Sequence, residues 1–326
     1  MKDYQNQPLV SILIPLFNEE NLIAQTIECC LNQTYKNIEV IVVDDHSTDN
    51  SLAIARQYEG DKVHVLINPN KGVGTVRNYA FEKSKGKFVK FLDSDDYISP
   101  GMVEKQMKRI LDDGDEYTIA YSQLRNCFMP GEPEDTLNGL SKDYSPGIEY
   151  VVDMCRTTNH VWFSLLYLIP RVVVEKIGGW NPERTYYEDV EFIASAMNQS
   201  SNALFVDEEY AVWRIFDDNK HLHTVKSISV QKQKIEVLFY VTSLVLKHQD
   251  TPEKREMCSQ YISYLIYSMF EEVELLYDFI DELFKTNQLT WFKYENPRMH
   301  LLYKILGWRK TTLFLKSLKG YLHNVF

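Results

Sequence analysis

Val10-Ser11-Ile12-Leu13-Ile14-Pro15-Leu16 is a near-continuous apolar run that ends at Phe17-Asn18-Glu19. Apolar text without alternation is what a strand covered on both faces requires. Residues 20–33 then place Leu22, Ile23, Thr26, Ile27, Cys30 and Leu31 at helical spacing, and residues 38–43 form a second apolar run. Asp44-Asp45-His46-Ser47-Thr48 follows as a polar turn, with Ser47 or Thr48 placed to cap a helix through Leu52 and Tyr58. Residues 63–67, 76–84 and 88–92 repeat the alternation of strand and helix. This pattern predicts an α/β fold with a mostly parallel central sheet flanked by helices. Such sheets bind ligands beyond the carboxyl ends of their strands, so the loops there are the first place to look for chemistry.

Further along, Ser99-Pro100 offers a hydroxyl cap and a first-turn proline to a helix over residues 102–111, followed by a strand over 118–124. Residues 126–147, rich in Pro, Gly, Asn, Asp and Ser, predict a long loop or lid. Residues 164–169 read as a strand, Arg171–Ile177 as a short helix, Gly178-Gly179-Trp180 as a turn and 188–197 as a helix. From Val225 the text is strongly helical, and Thr251-Pro252-Glu253 predicts the start of one helix running to about Phe284. The expected division is an α/β domain over residues 1–225 and a helical region over 226–326.

Of the 326 residues 44% are apolar and 25% charged, ordinary globular usage that excludes wholesale disorder. The net charge of −11 argues against a general nucleic-acid binder. It is unevenly spread: residues 291–326 carry seven Lys or Arg against one acid, or +6, leaving −17 on residues 1–290. Leu302, Ile305, Leu306, Trp308, Phe314 and Leu318 are interleaved with those bases, which suits either a peripheral helix on an anionic membrane surface or one packed on the acidic body. No apolar run approaches the roughly 18 residues of a spanning helix, and Met1-Lys2-Asp3-Tyr4 opens no signal peptide, so a cytoplasmic protein is expected, peripheral to the inner membrane face if the tail binds lipid. The five cysteines have neither zinc spacing nor a complete disulfide set.

Four polar groupings carry candidate chemistry. Asp93-Ser94-Asp95-Asp96 follows a buried strand directly, so its carboxylates suit a hard divalent cation bridging to phosphate, or simply the positive end of the next helix. Asp44-Asp45 ends an earlier strand of the same sheet; capping explains Asp44, and a ligand contact is the better reading of Asp45. Gly72-Val73-Gly74 with Arg77 permits close backbone approach and supplies a forked donor for phosphate or carboxylate, or is an ordinary turn before a solvated arginine. Glu188-Asp189, at the start of an apolar helix, either cap that helix or supply a general base for a sugar hydroxyl.

Pro8-Leu9-Val10-Ser11-Ile12-Leu13-Ile14-Pro15-Leu16-Phe17-Asn18-Glu19, Leu31-Asn32-Gln33-Thr34-Tyr35, Val42-Val43-Asp44-Asp45-His46-Ser47-Thr48-Asp49, residues 72–78 and Phe91-Leu92-Asp93-Ser94-Asp95-Asp96 closely resemble, in order and spacing, the family 2 glycosyltransferases. Gly178-Gly179-Trp180 and Glu188-Asp189 extend the resemblance to about residue 195. The resemblance implies a GT-A, Rossmann-like fold and inverting transfer from a nucleotide-diphosphate sugar. It implies that Pro15, Phe17 and Glu19 line the nucleotide, that Asp45 contacts the base, commonly uracil, and that Arg77 lies near the nucleotide or diphosphate. Asp93 matches the residue facing ribose or metal and Asp95 the ligand to Mn2+ or Mg2+; Asp96 is the adjacent acid that shapes the site. Asp189 matches the catalytic base, with Glu188 beside it. Arg214, His221 and His223 fall where such enzymes place groups near the diphosphate, with His223 a further metal candidate.

The implied activity is metal-dependent transfer of a hexose or N-acetylhexosamine from a UDP donor to a hydroxyl of a glycan or lipid-linked acceptor in polysaccharide biosynthesis. A sugar nucleotidyltransferase would carry a glycine-rich basic loop after its first strand, whereas residues 15–19 contain neither glycine nor base. A binding scaffold without turnover is disfavoured by the joint presence of Asp93, Asp95 and Asp189.

Overall fold

The structure, a computed structural model, describes residues 7–135, 140–157, 161–216, 227–269 and 273–291. It divides into two compact units, Met1–Met154 with Asn159–Thr224, and Cys155–Thr158 with Val225–Phe326.

The first unit alternates β1 (Val10–Leu16), α1 (Ile23–Leu31), β2 (Ile38–Asp44), α2 (Ser51–Arg56), β3 (Val63–Ile67), α3 (Val73–Lys83) and β4 (Phe88–Phe91). It continues through β5 (Tyr97–Ile98), α4 (Met102–Asp113), β6 (Ile119–Phe128), β7 (Glu134–Asp135), α5 (Ile148–Thr157, of which the part up to Met154 belongs to this unit), β8 (Tyr167–Pro170), α6 (Arg171–Ile177), α7 (Glu188–Gln199) and β9 (Ala203–Ile215). The sheet runs β3-β2-β1-β4-β8-β6-β9-β5, with β7 paired on β6. Strands β3, β2, β1 and β4 are parallel neighbours; β8 is antiparallel to β4 and β6, and the long β6–β9 ladder is parallel again. Every residue of β2 is buried, and in β1 only Pro15 is partly open, while β3 alternates exposed and buried positions as a sheet edge does. Helix α3 packs on β1 and β2, and α4 on β6 and β9.

Two expectations are corrected. Residues 126–147 are not loop throughout: β6 runs on to Phe128, and Glu134–Asp135 pairs back on it through Asn126↔Glu134 and Arg125↔Asp135. The polar text hid a strand because β6 gains its ladder from β9, distant in sequence. In the helical region the single helix to Phe284 is instead α9 (Pro252–Met269), a 3-10 turn at Val273–Leu276 and α10 (Tyr277–Thr286). No Gly or Pro stands between residues 269 and 277, so apolar periodicity runs straight through the break.

In the second unit α8 (Ile228–His248), capped by the Ser227 hydroxyl accepting from Val230 N at 3.4 Å, packs on α9 and α10. Its Ile235, Leu238 and Val241 are buried, as are Tyr261 and Ile262 of α9 and Ile280 and Phe284 of α10. No helix among the described residues is long and apolar enough to cross a membrane. The basic aromatic tail beyond Trp291, together with His221 and His223, lies outside the described residues. All five cysteines are free thiols.

Candidate active site

The carboxyl ends of β1 and β2 are laced together before they contribute to any site. Asn18 adopts a left-handed φ of 54°, its Oδ1 accepts from Thr48 N at 2.7 Å, and its own N–H donates to Ser47 Oγ at 3.0 Å. Asp44 folds back to accept from His46 N at 3.1 Å and Ser47 N at 3.2 Å, closing the turn. Asp45 points the other way, accepting from Asn68 Nδ2 at 2.7 Å and Gly72 N at 3.0 Å. Gly72 has φ +128°, a backbone shape that side chains disfavour, and it lets the chain double back to meet Asp45 at the start of α3.

One turn into α3, Arg77 is the hub of the site. Its Nη2 donates to Asp93 Oδ1 at 2.7 Å and its Nη1 to Glu188 Oε1 at 3.3 Å. The guanidinium lies 4.4 Å from the Trp180 ring, which is stacked at 4.0 Å on Phe192 and edge-on to Phe91. The neighbouring Asn78 and Trp180 bond reciprocally through backbone and amide at 2.8 Å each way. Thus Arg77-Asn78 and Gly178-Gly179-Trp180, separate motifs in the sequence, are one docked unit. Burial works against the charge on Arg77, but three nearby carboxylates, Asp93, Asp189 and Glu188, outweigh it and hold the guanidinium firmly protonated.

The acidic turn after β4 is braced from below. Thr26 Oγ1 donates to Ser94 O at 2.8 Å and Asp96 O at 2.9 Å. Arg214, buried, donates from its backbone N to Asp96 Oδ1 at 2.9 Å, from Nε to Asp95 O and from Nη1 to Gln25 Oε1 at 2.9 Å. Arg214 therefore supports the turn, and its guanidinium is spent on Gln25, Thr26 and the turn's backbone. Asp96 is buried, and that burial with the charges of Asp95 and Asp93 pushes its carboxyl well above the usual range. Asp93 and Asp95 remain half-buried on the cleft wall.

Asp189 occupies the first turn of α7, behind Tyr187, which takes a left-handed φ of 59°. Its Oδ1 is buried with no hydrogen-bond partner. Burial raises the carboxyl, Arg77 lowers it, and Glu188 and Asp93 raise it again, leaving it at about 7.

All ten described candidates from the resemblance other than Arg214 line one cleft of about 400 Å³: Pro15, Phe17, Glu19, Asp45, Arg77, Asp93, Asp95, Asp96, Glu188 and Asp189. Phe163, Thr185 and Trp213 line it too and escape sequence reasoning, having no motif around them; the Phe163 and Trp213 rings lie 4.8 Å apart. Among the described residues no group of three His, Cys, Asp or Glu side chains is arranged to hold a metal by itself. The two carboxylates Asp93 and Asp95 fit a hard cation that completes its shell with water and substrate phosphate, and their mutual crowding with Asp96 is what a cation would relieve.

Residues 11–136 match the family described as Glycosyl transferase family 2. Over those residues the chain is a family 2 glycosyltransferase domain. It is 30% identical over 220 residues to an uncharacterized glycosyltransferase of Rickettsia typhi, covering 65% of each chain. It is also 40% identical over 126 residues to the chondroitin synthase of Pasteurella multocida, covering 38% of this chain and 13% of that one. The S. aureus TarS 1–349 structure in complex with UDP-GlcNAc superposes with a TM-score of 0.66 at 17% identity, covering 85% of this chain and 80% of that chain. This domain thus has the GT-A fold, a mostly parallel sheet flanked by helices. The chain spans less than two thirds of its curated relatives' length, 65% for the R. typhi protein and 44% for a Haemophilus influenzae glycosyltransferase.

Proposed function

We propose that the protein transfers a sugar, with inversion, from a UDP-hexose or UDP-N-acetylhexosamine to a hydroxyl of a glycan or lipid-linked acceptor in polysaccharide biosynthesis. The observation that carries this reading is Asp189. A carboxylate with a buried, unpartnered oxygen and a pKa at about 7 shares one cleft with Asp45, Asp93 and Asp95. The nucleotide lies at the Pro15–Phe17–Asp45 end, where exposed Phe17 offers a ring face and Asp45 an acceptor for a base N–H. UDP-GlcNAc in the complex of the TarS neighbour and the polysaccharide synthase relative support this class of donor and product.

Asp189 takes the acceptor's proton as the hydroxyl attacks, and a base that titrates near neutral pH suits that task. Arg77 holds Asp93 and Glu188 in place and moderates the negative potential around Asp189. Mn2+ or Mg2+, held by Asp95 with Asp93, would stabilise the charge developing on the departing diphosphate.

Nucleotide release from a panel of UDP-sugars tests the reading. Release with one donor, reduced by about 10²-fold or more in Asp189→Asn, is expected from the scale of general-base catalysis. Calorimetric titration of UDP with Mn2+ into wild type and Asp95→Ala tests the metal role; equal binding by both would remove it.

A further inference from the structure

Three successive backbone carbonyls near the cleft are each held by a buried side chain. Lys90 Nζ donates to Leu165 O at 2.9 Å and to Tyr167 O at 3.1 Å, and Gln106 Nε2 donates to Leu166 O at 2.8 Å. Lys90 on β4 and Gln106 on α4 are both wholly buried. Placing an amine and an amide in the core is costly unless they are bonded, and here their bonds converge on one short segment. That segment is the 3-10 turn Ser164–Leu166 with the first residue of β8, and it directly follows cleft-lining Phe163.

The turn presents the Ser164 hydroxyl beside Asp189, close enough to lower that carboxyl's pKa. Yet Ser164 Oγ and Asp189 Oδ1 are both buried atoms without a hydrogen-bond partner. One can donate and the other, when ionised, only accepts. Buried polar atoms are almost always paired, so two complementary orphans side by side mark a bond that closes in the working state.

We infer that Ser164 is a positioning residue for Asp189: its hydroxyl donates to Oδ1 of the charged carboxylate and turns Oδ2 toward the acceptor hydroxyl, with Lys90 and Gln106 fixing the turn that presents it. The inference rests on the reading of Asp189 as base. The same strand therefore serves both halves of the cleft, carrying the acidic turn at its end and, through Lys90, setting the base.

Steady-state kinetics on Ser164→Ala and Ser164→Thr, with Asp189→Asn alongside, test it. Loss of one hydrogen bond to a charged group corresponds to about a tenfold to hundredfold fall in kcat. That fall is expected for Ser164→Ala with donor KM little changed, and Ser164→Thr, which keeps the hydroxyl, recovers most of it. Alanine is the gentler packing change at this buried position and threonine the harsher, so ranking by hydroxyl rather than by volume separates positioning from packing. An Ala variant at wild-type kcat, or a Thr variant as slow as Ala, overturns the inference while Asp189→Asn stays inactive. An active Asp189→Asn overturns the base assignment itself, a different result, and the inference with it.

Discussion

Arg77 and Asp93 meet at 2.7 Å with opposite exposures: the arginine side chain is 4% open to solvent and the aspartate 31%. The cation is locked between carboxylates and the Trp180 ring, whereas the carboxylate keeps an open flank toward the cleft. Arg77 therefore acts first as an internal counter-ion that allows Asp93, Glu188 and Asp189 to crowd together, and Asp93 is the member of the pair that faces a ligand.

Arg77→Ala is expected to leave that crowd uncompensated. Removing one partner of a buried ion pair costs about 3–5 kcal/mol. A lowered thermal midpoint should accompany lost activity, with both losses read on the same preparation. Arg77→Lys keeps the charge but loses the fork and the planar stack, so its midpoint should fall less while kcat/KM still drops. Lysine restoring full activity would show that charge alone suffices.

The pH dependence follows from Asp189, raised to about 7 by burial. As base it works ionised, so kcat/KM should fall as pH drops below about 7 and reach a plateau above it. The linked stability effect has the opposite sense. The folded-state pKa lies above the unfolded value, so the folded protein holds this proton more tightly, and that contribution is lost as pH rises through about 7. Asp189→Asn, uncharged throughout, should therefore melt above wild type at pH 8, with the gap closing toward pH 4. A variant that melts below wild type at pH 8 would contradict the burial argument.

Asp45→Ala should weaken UDP binding and loosen the start of α3 together. The substitution removes the charged acceptor that Gly72 N and Asn68 Nδ2 share, although Asn68 keeps its bond to Thr75 Oγ1 at 3.1 Å, and a hydrogen bond to a charged group is worth about 1.5–3 kcal/mol. Gly74→Ala tests the same junction from the other side, since a Cβ there would stand 2.9 Å from Asn181 O and 3.0 Å from Pro182 Cα, both backbone. Calorimetry with UDP and thermal melts should show both quantities reduced in each variant. Tight UDP binding by Gly74→Ala would mean that the approach of α3 to residues 181–182 does not shape the cleft.

The β1–β4 half was legible because continuous apolar runs are unambiguous and functional acids sit where those runs stop. Asp45, Asp93 and Asp95 could be placed on one sheet edge from text alone. The rest hid for identifiable reasons. In β9 the ladder jumps from Val206 to Tyr210, so the acidic Asp207-Glu208-Glu209 bulges out and interrupts the strand's apolar pattern. The resemblance puts Arg214 near the diphosphate, but that it braces the acidic turn from beneath depends on Thr26 and Gln25 from α1, which no local pattern records. Phe163 and Ser164 matter only because of contacts with residues tens of positions away, and no local pattern records those.

Lys90 yields the last prediction. Burial lowers its pKa from 10.5 to about 7, so between those values the unfolded chain binds a proton that the folded chain resists. That difference makes stability rise with pH across the window, and the lysine's penalty is greatest below about 7. Lys90→Met removes the penalty together with the bonds to Leu165 O and Tyr167 O. Wild type should gain thermal stability from pH 7 to pH 9.5 relative to the variant, with the curves drawing together toward pH 7 as the cost of the buried amine offsets the value of its bonds. Melting curves that stay parallel across this range would mean that the Lys90 amine is protonated in the fold and its burial is compensated in full.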